Sequence, residues 1–220
     1  MNEGRLKIRK MLFAAVMGAA SFAYGEQDWQ YWSTWSATHK VSDQSTVSAL
    51  AEAYFRDDMS DDYVYDEYVT YSRQVGHGFG IVCQAYFESV EAAKDDWVGT
   101  RSAVVGPSYA FAIPAVGTLK LEDRFFYRLN SPSGWDYHRP RVYLSRDVGP
   151  ITMILSDELR VDLSGDRAHD FYRNRVYATA LWKATDVLTL GLGYLQQSDQ
   201  NADGDWTSFN GVQTVVTLSF

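Results

Sequence analysis

Cysteine is almost missing from this chain of 220 residues: Cys83 stands alone, so no intramolecular disulfide braces the fold and no cysteine cluster holds zinc. Cys83 also lies far from the N-terminus, which argues against a lipid-anchored start. Long apolar runs are scarce as well. The one clear run, Met11 to Phe22, is about half the roughly 20 residues that a membrane-crossing helix needs, and no later segment comes close. Basic residues are in deficit, 20 Lys and Arg against 28 Asp and Glu, for a formal net charge of −8. That balance argues against nucleic acid as a partner. No Gly-rich turn sits between a strand and a helix, so phosphate cradles of that kind are excluded too.

The N-terminus has the form of an address. Arg5, Lys7, Arg9 and Lys10 precede the apolar run, and the small-residue stretch Ala23-Tyr-Gly25 follows it. This is the pattern of a cleavable secretory signal over residues 1–25. Its removal leaves one domain, residues 26–220, with a net charge of about −11. Aromatic residues make up 15% of the chain, with 15 Tyr and 7 Trp, which suits a barrel with interfacial girdles. A secreted, Tyr-rich β-sandwich is the alternative.

Along the mature chain, segments of alternating polarity recur and no helical period appears. The alternation predicts strands near 28–41, 45–57, 62–75, 79–92, 98–114, 117–130, 136–147, 150–163, 170–184, 186–198 and 206–220. Tight connections at Ser42 to Gln44, Gly76 to Gly78, Ala115 to Gly117, Asp147 to Gly149 and Thr185-Asp186 alternate with longer acidic ones. The longer ones are Asp57 to Asp62, Val90 to Asp96, Asn130 to Asp136, Ser164 to Asp170 and Asp199 to Asp205. Short turns at one end and long polar loops at the other are the two ends of a membrane barrel, periplasmic and extracellular. The last segment, with Val212, Thr214, Val216, Leu218 and Phe220 on one face, resembles the closing strand of a bacterial outer-membrane barrel. That resemblance implies that the barrel-assembly machinery reads the terminal Phe220.

The expected fold is therefore all-β, an antiparallel transmembrane barrel of about 10–12 strands. An odd count conflicts with the even strand numbers of bacterial single-chain barrels. The reading that keeps the tight turns periplasmic starts a ten-stranded wall at Ser45, with the Trp-rich segment Asp28 to Val41 outside it; twelve strands is the alternative.

A barrel in lipid presents apolar atoms outward and tolerates polar ones within. Leu188, Leu190, Leu192 and Tyr194 then face out, as do Val176, Ala178, Ala180 and Trp182. The same parity sends Glu52, Arg56, Glu122, Arg124, Arg128, Arg139, Arg141, Glu158, Arg160, Arg173 and Arg175 into the lumen, eight arginines against three glutamates. Asp123 and Asp157 fall on the outer face, which suggests a bulge or an altered register there. Charges in so narrow a space must be paired or hydrated, and guanidinium forks match carboxylates. A cross-barrel Arg and Glu network that fills the interior is the structural reading. A surplus of arginine lining a small anion-preferring pore is the functional one.

Glu52-Ala-Tyr-Phe-Arg56, Glu122-Asp-Arg-Phe-Phe-Tyr-Arg128, Ser156-Asp-Glu-Leu-Arg160, Arg173-Asn-Arg-Val-Tyr177 and Gly193-Tyr-Leu-Gln196 resemble, in order and spacing, the signature strands of the uncharacterised DUF2490 family of bacterial outer-membrane proteins. The likeness runs from Trp29 to Phe220. It implies a barrel of unknown activity and brings no catalytic residues. Arg160 and Val161 depart from the pattern, where aromatics are expected after the Asp-Glu pair.

A rim-site hydrolase, protease or lipid-modifying, is the remaining class. No His-x-Ser arrangement is present among His39, His77, His138 and His169. His138 with Asp136, and His169 with Asp166 or Asp170, are predicted at the extracellular strand ends and face an acidic loop. Solvated loop charge, or cation binding that bridges lipopolysaccharide, is the plainer account. Asp199 to Asp205 has the composition of a calcium loop without its spacing or terminal Glu. No cofactor, metal or catalytic residue is assigned. The expected setting is the outer membrane of a Gram-negative bacterium, with membrane lipid and lipopolysaccharide as surroundings and the monomer as the working unit.

Overall fold

The computed structural model describes residues 29–57, 59–131, 134–164, 171–201 and 203–220. The expected signal segment 1–25 and His169, Asp166 and Asp170 lie outside the described residues. Eleven strands form a single closed sheet: β1 (Trp29–Ser42), β2 (Ser45–Arg56), β3 (Asp61–Gly76), β4 (Phe79–Ala93), β5 (Asp96–Ile113), β6 (Gly117–Arg128), β7 (Trp135–Val148), β8 (Ile151–Asp162), β9 (Phe171–Lys183), β10 (Leu188–Gln200) and β11 (Trp206–Ser219). Neighbours in sequence are neighbours in space and run antiparallel, so the barrel is a simple meander.

The expected ten-stranded wall beginning at Ser45 is corrected: β1 is a wall strand. It pairs antiparallel with β2 on one side and parallel with β11 on the other, from Trp29 opposite Asn210 to Thr38 opposite Ser219. Geometry requires this. An odd number of alternating strands leaves the first and last running the same way, so the ring closes only through a parallel pair. The parallel seam is fastened by side chains and by the chain end. The Tyr31 hydroxyl lies 2.7 Å from Thr214 Oγ1, Ser36 Oγ lies 2.8 Å from Thr217 Oγ1, and Gln213 Nε2 donates to Thr34 Oγ1. Phe220 donates its N–H to Thr38 O at 3.0 Å and accepts from the Lys40 N–H at 3.2 Å, while its ring lies against His39. As a consequence β1 begins at the opposite end of the barrel from the end where β11 finishes.

The connections sort into two ends less sharply than the sequence implies. Segments 43–44, 77–78, 114–116, 149–150 and 184–187 join strands at the short-turn end; 57–60, 94–95, 129–134, 163–170 and 201–205 do so at the other, the long-loop end. The expected loop from Val90 to Asp96 is instead strand continuing to a two-residue turn, with Val90 paired to Val98 and Glu91 to Trp97. Where a turn must be tight, the backbone leaves the right-handed region: Gly78 has φ of 85°, and a Cβ there would meet Ala110 O at 2.3 Å.

Alternation within each strand separates the two faces. In β10, Leu190 and Leu192 are exposed outward, while Gly193, Leu195 and Gln197 are buried within. Asp123 and Asp157 do face outward, without the bulge or shifted register that their position suggests. The register shifts of β6 and β8 come later, between Phe126 and Tyr127 and between Arg160 and Val161. Each outward acid has a partner that satisfies it: His138 Nδ1 lies 3.0 Å from Asp123 Oδ1, and Asn174 Nδ2 donates to Asp157 Oδ1 at 2.6 Å. His138 thus joins Asp123 rather than Asp136, and its ring stacks on Phe125.

Two prolines thin the wall at one depth. The β5 and β6 ladder skips from Val105 opposite Phe125 to Ser108 opposite Glu122, across Gly106 and Pro107. The β7 and β8 ladder skips from His138 opposite Val161 to Arg141 opposite Glu158, across Arg139 and Pro140. Proline has no N–H to give to a ladder. Gly106 permits the close approach there, since a Cβ would lie 1.8 Å from Asp123 O.

Candidate functional site

Inward side chains divide the lumen into three levels. Toward the long loops, aromatics fill the cross-section in two packed groups: Trp32, Tyr54, Val64 and Leu195, and Tyr68, Tyr86, Val104, Phe126 and Tyr137. Trp32, Tyr86, Phe126, Tyr137 and Leu195 are each at most 2% exposed, so water does not reach their sides. Tilted and stacked rings account for the fit, with Phe126 and Tyr137 4.3 Å apart and Trp32 and Tyr54 4.2 Å apart between centroids.

The middle level is charged. Glu158, 4% exposed, is the hub: Arg141 pairs with it directly, and Arg175 and Arg139 approach it at 3.6 and 3.9 Å. Glu122 forms a second centre, with Arg124 at 2.7 Å and Lys120 at 2.6 Å. The guanidinium groups also lie on rings: Arg139 sits 4.6 Å from the Phe126 centroid, Arg175 4.8 Å from Trp32, and Arg160 3.5 Å from Tyr137. Arg175 also donates to Gln197. Aromatic faces therefore take over part of the neutralising work that carboxylates alone would not cover.

The remaining arginines belong to the rim. Arg56 pairs with Asp61 at 2.9 Å and Glu91 at 2.6 Å, Arg128 with Asp136 at 2.6 Å, and Arg173 with Asp199. Those four acids are not in the expected eleven. Glu52 departs from the expected arginine pairing in another way, since hydroxyls hold it: Thr34 Oγ1 donates at 3.0 Å and the Tyr54 hydroxyl at 2.8 Å.

Asp66 was missed from sequence, and it organises the seal. The hydroxyls of Tyr54, Tyr68 and Tyr86 lie 2.9, 3.1 and 3.0 Å from its carboxylate, and the single protons of Tyr54 and Tyr86 are shared with Glu52 and Glu88, each 2.8 Å away. A buried carboxyl ringed by three phenols has hydrogen-bond partners for both of its oxygens. Its alternation with Val64, Tyr68 and Thr70 was the available signal, obscured because Tyr65, Glu67 and Tyr71 give the outer face of β3 the same composition.

Toward the short turns the lumen opens into a cavity of about 460 Å³. Arg124, Arg139, Arg141 and Arg175 form its floor with Glu52 and Glu158, and its walls carry hydroxyls from Ser48, Thr70, Ser72, Tyr143, Ser156 and Thr179.

A family described as "Protein of unknown function (DUF2490)" matches residues 29–208. The chain belongs to the DUF2490 family. No curated protein and no solved structure matches it significantly. For this DUF2490 protein, then, the interior itself is the source of functional information. The match ends within β11, so it spans most of the wall and takes in all three lumen levels.

Proposed function

We propose that this DUF2490 protein is a monomeric outer-membrane β-barrel with a sealed lumen, a structural or binding component of the membrane rather than a channel. The observation that carries this reading is the aromatic and ionic stopper. Trp32, Tyr86, Phe126, Tyr137 and Leu195 exclude water across the long-loop half, and the Glu158 and Glu122 centres tie the strands together beneath them. The membrane setting is supported by the outer wall, where Val69, Phe87, Val105, Val142, Leu155, Val176 and Leu192 are exposed toward mid-strand. Exposed apolar surface of that extent marks contact with lipid or with a partner. The secretory signal, the charge pattern of the loops and the terminal Phe220 agree with delivery by the barrel-assembly machinery into a lipopolysaccharide-bearing membrane. A rim hydrolase draws no support from His138, which faces out of the wall against Phe125 and Asp123.

Single-channel recording in planar bilayers tests the sealed lumen, using protein whose heat-modifiable migration marks a closed barrel. No conductance is expected. Steady conductance with anion preference, weakened by Arg124→Gln and Arg175→Gln, would make the protein a small anion pore instead.

A further inference from the structure

The seal lies on one side only, which leaves the cavity at the short-turn end as a blind vestibule. Its position follows from the strands: Ser48, Ile154 and Leu181 lie near the short turns, while Arg124, Arg141 and Glu158 lie at mid-strand. A volume of about 460 Å³ is that of a small-molecule site and would hold about fifteen waters at liquid density.

The floor of the vestibule is chemically incomplete. Four arginines face it against Glu52 and Glu158, with Glu122 behind Arg124, and three of the four share the single carboxylate of Glu158. Within the described residues, the buried Nε atoms of Arg139 and Arg141 have no hydrogen-bond partner, which marks the layer as short of acceptors although these two atoms do not themselves reach the cavity. Arg124 and Arg141 keep 17% of their side chains accessible although the charged layer around them is buried. They are also diagonal neighbours, because Arg124 pairs across the ladder with Arg139 and Arg141 with Glu122. Two adjacent guanidinium groups, each partly accessible at the bottom of the pit, favour an anion that accepts from both in forked geometry. The walls add a second requirement. Hydroxyls of Ser48, Thr70, Ser72, Tyr143, Ser156 and Thr179 donate and accept, which suits a body that carries hydroxyls of its own.

We infer that the vestibule is a binding site for a small phosphorylated polyol, the phosphate held by Arg124 and Arg141 and the polyol by the hydroxyl walls. The inference rests on the sealed-lumen reading for its blind end. A glycerol phosphate group meets both requirements, and it exists free in solution or as the headgroup of an anionic phospholipid. Entry is from the short-turn side.

Calorimetric titration of the full-length folded protein in neutral detergent at low salt, with glycerol 3-phosphate as the probe, tests it. One site per chain is expected, with no binding of glycerol. Arg124→Gln should weaken binding by about tenfold to a hundredfold, the loss of one charged hydrogen-bonding group. Ser48→Phe, which fills the mouth and leaves every arginine in place, should weaken it as well. The rim variant Arg128→Gln should leave it unchanged. Competition by short-chain phosphatidylglycerol would identify the lipid headgroup as the source, and its absence the free ester. No binding of glycerol 3-phosphate, or equal binding by the wild type, Arg124→Gln and Ser48→Phe forms, would overturn the inference. The same preparation in planar bilayers separates the two claims: binding with conductance removes the seal and keeps the site, whereas silence without binding removes the site and keeps the seal.

Discussion

Glu158→Gln isolates the stabilising work of the charged layer. The carboxylate is 4% exposed and stands among Arg141, Arg175 and Arg139, themselves 17%, 10% and 3% exposed, so solvent does little to screen the group. At about 4 Å and an effective dielectric constant near 20, each such contact is worth about 4 kcal/mol of attraction before desolvation is subtracted. Glutamine keeps the shape and an acceptor oxygen but removes the charge, and three buried guanidinium groups then repel one another. Breaking a buried pair from one side costs about 3–5 kcal/mol, a large share of the roughly 5–15 kcal/mol that holds a typical domain. Urea unfolding from detergent micelles, followed by tryptophan fluorescence, should show a loss in that range. Adding Arg141→Gln should restore part of it, because one stranded charge leaves with its partner. Asp43→Asn, which removes the partner of Lys40 in an exposed turn, should change nothing measurable. A loss below about 1 kcal/mol for Glu158→Gln would refute the argument that this layer braces the barrel.

Two further outcomes follow from the wall. The outward Asp123 and His138 pair lies at mid-strand among Leu121, Pro140 and Val142, so replacing both members by leucine should leave stability in lipid vesicles unchanged or raise it by about 1–4 kcal/mol. Marked destabilisation in that unfolding assay would mean that the pair faces water. Because β1 begins at the long-loop end, an epitope placed between Gly25 and Trp29 should react with antibody on intact cells, while one placed after Phe220 should not. Reaction of both or neither would contradict the seam or the orientation.

Strand positions were legible because outer and inner faces demand opposite chemistry, so Leu190, Leu192 and Tyr194 against Gly191, Gly193 and Leu195 leave one register. The same parity was sound at Asp123 and Asp157, where an outward acid looked like an error until its neighbour on the adjoining strand was known. The first segment was misread for a different reason: even strand counts among bacterial barrels outweighed the alternation of Gln30, Trp32 and Thr34, which face the lumen. Pairing within the lumen was beyond the sequence. Arg56 finds Glu91 two strands away and Arg173 finds Asp199 across a hairpin, distances that parity does not encode. Asp66 stayed hidden because tyrosines on both faces of β3 blur its alternation.

Everything inside the barrel depends on β1 standing in the wall beside β11, since otherwise Trp32 would not help close the lumen. Disulfide formation across that seam tests it most directly. With Cys83→Ser to remove the native thiol, the pair Ala37→Cys and Leu218→Cys, opposite each other in the parallel register, should oxidise readily and change migration of the unfolded chain under non-reducing conditions. The pair Ala37→Cys and Thr214→Cys, four residues out of register on the same face, should not. Crosslinking of the second pair, or of neither in well-folded protein, would contradict the eleven-stranded closure.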